Sequence, residues 1–293
     1  MYKSGESFPY FQCESCGCLQ ISQDIGDMSK YYPEHYYSYA PAAPGLMADL
    51  KLRLRTLLAL NGPAALFKGK VWFELGHLRA IRDVHVPTSA KILDVGCGSG
   101  LFMSQLRDVG YTNVSGVDPF LAGDIVHKNG VKIRKCDISE VSDQFDVVLM
   151  NHSLEHIWDQ KRTVADIHRV VKPGGKFVIR IPTCESDARD EYGAAWAQLD
   201  PPRHFYLHSR TSIARLLAAS GFRVVKIVDD PSPWSLLGSE KVKRGLPLMD
   251  PETNTTRFES FFSPEERADM WRKTLRLSAA HRGDQITVHA ERV

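Results

Sequence analysis

The chain has 293 residues, 43% hydrophobic and 25% charged, with a net charge of +2. That is an ordinary globular mix, long enough for a sizeable core in one large domain or two smaller ones. The slight basic excess gives no argument for nucleic acid. No apolar run reaches the ~18 residues of a membrane span, and the N-terminus lacks a signal peptide's apolar block, so a cytoplasmic chain is expected.

Residues 1–45 are irregular and rich in Tyr, Pro and Cys. Residues 46–60, LMADLKLRLRTLLAL, look helical, with Leu on several faces. Their basic residues Lys51, Arg53 and Arg55, with Lys68 and Lys70 beyond, suit a membrane surface, but a helix packed on the next domain is the expectation. From about residue 90, short apolar runs alternate with amphipathic segments. Strands are predicted at 91–95, 114–117, 131–136, 145–150 and 176–181, and helices at 101–110, near 120–128 and at 160–171. Such alternation predicts a parallel sheet with helices on both faces. A helix over 209–220 ends at Gly221, as a C-cap glycine would, and a strand follows at 223–228. Residues 230–262 read as a less regular insertion, with five prolines over 230–264. A helix at 264–279 and an alternating strand at 285–290 close the chain.

The stretch ILDVGCGSG, Ile92 to Gly100, runs from a strand into a helix. A dinucleotide fingerprint would place a third glycine at position 101, which is Leu, and a P-loop would end in Gly-Lys-Ser/Thr. Neither is present. Gly96, Gly98 and Gly100 let the backbone pass close to a ligand without a pyrophosphate to bind. Asp94 before them suits a ligand carrying an ammonium group.

The loop resembles the first motif of class I methyltransferases dependent on S-adenosylmethionine (SAM), and further matches follow in order over residues 90–222. Asp118 in GVDP lies some twenty residues past the glycines, where an acid can accept both ribose hydroxyls. FDVVLMNHSLEHIWD and VVKPGGKFVIRIP resemble the fourth strand with the segment after it and the turn into the fifth. The resemblance implies a Rossmann-like, doubly wound α/β sheet of seven strands. It divides the chain into an N-terminal cap and helix (1–60) and a methyltransferase domain (61–293) with a C-terminal helical insertion over about 230–284. SAM is the implied cofactor. Its implied contacts are Asp94, Gly96, Cys97, Gly98, Gly100, Asp118, Pro119, Asn151 and His152, with Asp137 at the adenine amino group and Ile138 against the ring.

Cys13-Glu-Ser-Cys16-Gly resembles half of the zinc ribbon that precedes the domain in a subgroup of sugar and small-molecule methyltransferases. A structural zinc needs four ligands. Cys13 and Cys16 supply two, so reduced thiols in a vestigial turn are expected over bound zinc. The Tyr-rich segment KYYPEHYYSY resembles one that covers the SAM pocket in that subgroup, and one or two of its rings are expected there. Pro201-Pro202-Arg203-His204 resembles the subgroup's acceptor-side segment, which makes His204 the candidate general base, oriented by Asp200. Glu155 and His156 read as structural. Trp234 and Trp271 in the insertion offer stacking faces. The expected activity is methyl transfer to a small molecule, a sugar or nucleotide-sugar precursor. O-methylation of a phenolic or quinone-like metabolite and a non-catalytic SAM-binding scaffold are the rivals.

Overall fold

The computed structural model describes residues 6–32, 46–61, 76–230, 232–250, 253 and 255–293. Two short strands, β1 (Tyr10–Gln12) and β2 (Leu19–Ile21), form an antiparallel hairpin where an irregular segment is expected. Helices α1 (Leu46–Asn61) and α2 (Gly76–Val84) precede the regular alternation. It begins with β3 (Lys91–Val95), α3 (Leu101–Asp108) and β4 (Asn113–Val117). Next come β5 (Ile125–Val126), β6 (Lys132–Arg134), β7 (Phe145–Asn151), α4 (Gln160–Val170) and β8 (Val171–Pro182). The short α5 (Asp187–Tyr192) and β9 (Tyr206–Leu207) lead to α6 (Arg210–Ala219) and β10 (Phe222–Asp229). Helices α7 (Pro233–Lys243), α8 (Phe258–Phe261) and α9 (Pro264–Ala279) come before the last strand, β11 (Gln285–Arg292).

The main sheet has eight strands in the order β10-β11-β8-β7-β3-β4-β6-β5. The central strands β8, β7, β3, β4 and β6 pair in parallel, while β10, β11 and β5 join antiparallel. Parallel strands buried on both faces need apolar runs rather than alternation. Val147, Val148, Leu149 and Met150 of β7 accordingly lie within about 1% of full burial. One core packs α4 and α6 on one face, including Val164, Ile167, Ile213 and Leu217. The other packs α1, α2 and α3 on the opposite face through Ala59, Leu78, Ile81, Met103 and Leu106. Each of the Val, Leu, Ile and Met side chains among these, fully buried, contributes roughly 1.5–3 kcal/mol.

Three expectations change. The helix near 120–128 does not form. Asp118 Oδ1 accepts the Phe120 N–H at 2.9 Å, closing a turn after the strand, and Pro119 and Gly123 oppose a helix. The chain instead adds β5, so the sheet has eight strands rather than seven. The insertion is more regular than its prolines suggest. Ser232 caps α7 by accepting the Trp234 N–H, and Pro233 occupies the first turn, where a proline needs no N–H. Trp234 then packs in a small separate core with Leu237, Leu248, Phe258 and Phe262 instead of standing free as a stacking face.

The hairpin β1-β2 joins β9 in a second, three-stranded sheet. This docks the hairpin onto residues 204–207, and the Tyr-rich segment beyond Tyr32 lies outside the described residues. The Tyr10 hydroxyl donates to the His204 carbonyl at 2.7 Å, and the Ile21 N–H to the Phe205 carbonyl at 3.0 Å.

Candidate functional site

In the main sheet the chain order reverses between β3 and β7, whose C-terminal ends open the crevice in which open α/β sheets bind ligands. The glycine loop leaves β3 there. Gly96, Gly98 and Gly100 all have positive φ. A Cβ at Gly96 would stand 2.6 Å from Ser153 Cβ, and one at Gly100 would overlap the Ile133 side chain. Glycine is thus required both for conformation and for space. The Gly98 N–H donates to Asp118 Oδ2 at 2.9 Å, which ties the loop to the end of β4.

Both oxygens of Asp118 therefore hold one backbone N–H each, from Gly98 and Phe120. A carboxylate has about four acceptor sites, so it can still take a pair of hydroxyls. Asp94 is 3% exposed, and its hydrogen bond is from Asn151 Nδ2 at 3.3 Å. Burial pushes its carboxyl up to about 7, the nearby Asp118 adds to this, and Arg180 and Asn151 oppose it. A buried acid so poised gains from a cationic ligand group.

The remaining expected contacts fall out unevenly. Cys97 is half-buried in the loop, and Pro119 is exposed at the end of β4. His152 has φ 50°, and its N–H donates to the Arg180 carbonyl at 2.9 Å. Asp137 acts as a cap: its Oδ1 accepts from Ser139 N and Oγ, and Glu140 returns a bond to the Asp137 N–H. Ile138 is 4% exposed and belongs to the main core, which leaves it little surface for a ring. Of the tyrosines, Tyr36, Tyr37 and Tyr39 lie outside the described residues. Tyr32 stacks on Phe120 with centroids 6.4 Å apart and planes 8° from parallel. Phe120, 77% exposed beside Asp118, is a further aromatic at this mouth, and nothing in its local sequence singled it out.

His204 is buried, and its Nδ1–H donates to the Gln198 carbonyl at 2.7 Å. Asp200, the expected orienting group, sits 3.9 Å from Nε2 and is ion-paired with Arg203 instead. A carbonyl only accepts, so the proton stays on Nδ1 and Nε2 keeps a lone pair. Burial lowers the His204 pKa, against the pull of Asp200 and Glu155, so the ring is neutral near pH 7. The His156 ring lies 4.7 Å from it, centroid to centroid, with Nδ1 donating to the Arg203 carbonyl at 2.9 Å. Glu155 and His156, read from the sequence as structural residues in the segment after β7, thus stand beside His204. The two segments are locked by the Phe205 N–H on the Glu155 carbonyl at 2.8 Å.

Cys13 and Cys16 form a knuckle-like turn, with the Gly17 N–H on the Cys13 carbonyl at 2.7 Å. Among the described residues, no third Cys, His, Asp or Glu converges with them at metal-ligand spacing.

A family model described as a methyltransferase domain matches residues 44–227, well over half of the chain. The chain belongs to the methyltransferase domain family. It is a SAM-dependent methyltransferase domain, and the glycine cradle, Asp94 and Asp118 fit that cofactor. The chain is 30% identical over 135 residues to human EEF1A lysine methyltransferase 2, covering 38% of this chain and 57% of that one. It is 35% identical over 97 residues to a ubiquinone biosynthesis O-methyltransferase of Pseudomonas syringae, covering 29% and 41%. It thus spans about half the length of the curated relatives it matches. A solved SAM-dependent methyltransferase from Mesorhizobium loti aligns with a TM-score of 0.45 at 17% identity, over 74% of this chain and 98% of that one. Among the described residues, no helix is long and apolar enough to cross a membrane.

The Asp94 environment predicts a proton linkage. The folded, ligand-free acid titrates near 7 instead of its ordinary 3.8. Its raised folded pKa costs stability as pH rises through that window. An ammonium group beside it favours the ionised form, so cofactor binding expels a proton below about pH 7 and none well above it. Calorimetry of S-adenosylhomocysteine (SAH) in two buffers of different ionisation enthalpy should show proton release at about pH 6 that fades as pH rises past about 8. The release should vanish in Asp94→Asn.

Proposed function

We propose that this protein transfers a methyl group from SAM to a hydroxyl of a polar small molecule, with a sugar or nucleotide-sugar precursor as the acceptor class. SAM supplies the methyl group on a sulfonium that is already a good leaving group. Asp94 and Asp118 are read as holding its ammonium and ribose ends, the glycine backbone as letting it approach closely, and Asn151 and His152 as flanking it. Tyr32 and Phe120 are read as closing the mouth, with faces that favour a nearby cation. Alignment of acceptor and methyl then provides much of the acceleration.

The observation that carries the acceptor class is the lining at the ends of β7 and β8. His152, Glu155 and His156 follow β7, and His204 is brought beside them by the Phe205–Glu155 backbone bond and the His156 ring contact, a polar set where a quinone ring would ask for apolar side chains. His204 Nε2, neutral and bare, is read as the acceptor of the hydroxyl proton. The N-terminal hairpin, read as a cap over residues 1–60, holds this segment through Tyr10. The Cys13–Cys16 turn supports placement in the subgroup with an N-terminal zinc ribbon. The O-methyltransferase relatives favour a phenolic acceptor as the second reading. Transfer of radiolabelled methyl from SAM to a panel of nucleotide sugars and catechol-type phenols separates the two. Label in the sugars supports the proposal, and label confined to the phenols overturns the acceptor class.

A further inference from the structure

Glu155 is 1% exposed, and neither carboxylate oxygen accepts a hydrogen bond among the described residues. His152 Nδ1 stands 3.4 Å from Oε1, where it meets the carboxylate as an ion pair only when it carries a second proton, and it is outside full hydrogen-bonding geometry. A carboxylate taken out of water is costly unless something positive meets it. Its other close neighbours are imidazoles that bring no proton. His156 and His204 each give Nδ1–H to a backbone carbonyl, Arg203 and Gln198 respectively, and so present Nε2 as a lone pair. One ligand atom from each of Glu155, His156 and His204 lies within 4.8 Å of the other two. Among the described residues, none of the three donates a hydrogen bond to another.

We infer that Glu155, His156 and His204 bind one divalent transition-metal ion, of the zinc or manganese kind. Two imidazoles with one carboxylate are a donor set for such ions, whereas calcium and magnesium prefer oxygen throughout. The support shell is already in place. A metal-bound histidine ordinarily donates its other ring N–H to a carbonyl or carboxylate, which holds the ring in its ligating tautomer. Both rings here do so. The Glu155–Phe205 backbone bond and the Tyr10 bond to the His204 carbonyl hold the two ligand-bearing segments together. His156 is the one of the three that is not fully buried. Ligands on a tetrahedral ion stand about 3.3–3.5 Å apart for bond lengths near 2.1 Å, so the side chains need to close by roughly an ångström.

Three protein ligands leave a position open, as in catalytic sites. An acceptor hydroxyl bound there would lose its proton more readily, and His204 would then act as a ligand rather than as the base. That use rests on the acceptor-side reading above, but the binding of the ion does not.

The test is titration of Co²⁺ into metal-free, full-length protein, followed by its visible ligand-field bands. The expected result is one equivalent bound without a thiolate charge-transfer band. His204→Ala and Glu155→Gln should each weaken binding at least tenfold, while the Cys13→Ser/Cys16→Ser double variant should leave it unchanged. SAH titrations of the same variants report whether they fold, and His156→Gln, at the least buried of the three ligands, replaces any that does not. No Co²⁺ bound by the wild type, a thiolate band lost with the cysteines, or unchanged binding in the folded ligand variants would each overturn the inference. Binding lost in His204→Ala with turnover intact would support the metal site and overturn the acceptor-side reading.

Discussion

His204→Ala should keep SAH affinity and, with Nε2 acting as the proton acceptor, lose about 10²–10⁴-fold in turnover, the range typical of removing a general base; a His204 that instead holds a metal ion for the acceptor hydroxyl gives a loss in the same direction. The separation follows from position. The residues read as holding the cofactor lie on the loop after β3 and at the end of β4, whereas His204, read as the base, lies in the segment before β9. Its ring is held by the Gln198 carbonyl, so Nε2 is aimed rather than free to turn. The loss of the ring leaves a small buried gap but no unpaired charge, so folding should survive. Methyl-transfer rates with an acceptor identified from the panel, beside SAH calorimetry, check it. A variant that turns over within a few-fold of wild type would mean that alignment suffices or that the proton leaves elsewhere.

Arg203→Met should cost about 3–5 kcal/mol of stability, because it strands a buried charge. Arg203 and Asp200 are 2% and 5% exposed and form a close ion pair. Burial alone would raise the Asp200 carboxyl, but Arg203 reverses this and holds it well below the usual carboxylate range. In the wild type this pairing contributes stability above about pH 4 and loses it as pH falls further. In the variant the sign inverts. Asp200 then prefers its proton, so the deficit should shrink between pH 7 and pH 5. Asp200→Asn/Arg203→Met should regain much of the loss, since it removes both charges. Urea melts at the two pH values read the effect, and an equal deficit at both would contradict the buried-charge explanation.

The parts of the fold legible in the sequence are those with a strong local cause. Helix α9 falls at 264–279 as expected because Ser263, Pro264 and Glu266 spell out its start. Strand β3 matches 91–95 because an apolar run meets a glycine loop whose spacing has few other uses. Pairings between distant segments left no such mark. Nothing in Leu19–Ile21 announces Tyr206–Leu207 as its partner, since two-residue contacts carry no pattern. The stretch after Asp118 looked helical by composition, but a single side-chain bond to Phe120 N turned it. Within the site, acids and glycines at strand ends were readable because backbone geometry restricts those positions. Glu155 was read as structural, and nothing in its local sequence shows that it is buried beside two rings from segments about fifty residues apart, each oriented by a backbone carbonyl. The adjacent Glu155-His156 pair and the later Arg203-His204 pair were the only hint.

The most direct test of the cofactor assignment is a calorimetric titration of SAH into the wild type and into Asp118→Ala. Asp118 is anchored by two backbone N–H groups, so its carboxylate is held in place to accept the ribose hydroxyls. The wild type should bind in the micromolar range, about −8 kcal/mol. The variant loses charge-assisted hydrogen bonds to a ligand, about 1.5–3 kcal/mol, and should bind roughly ten- to a hundredfold more weakly. Unchanged affinity in a folded Asp118→Ala protein, or no SAH binding by the wild type, would contradict the assignment.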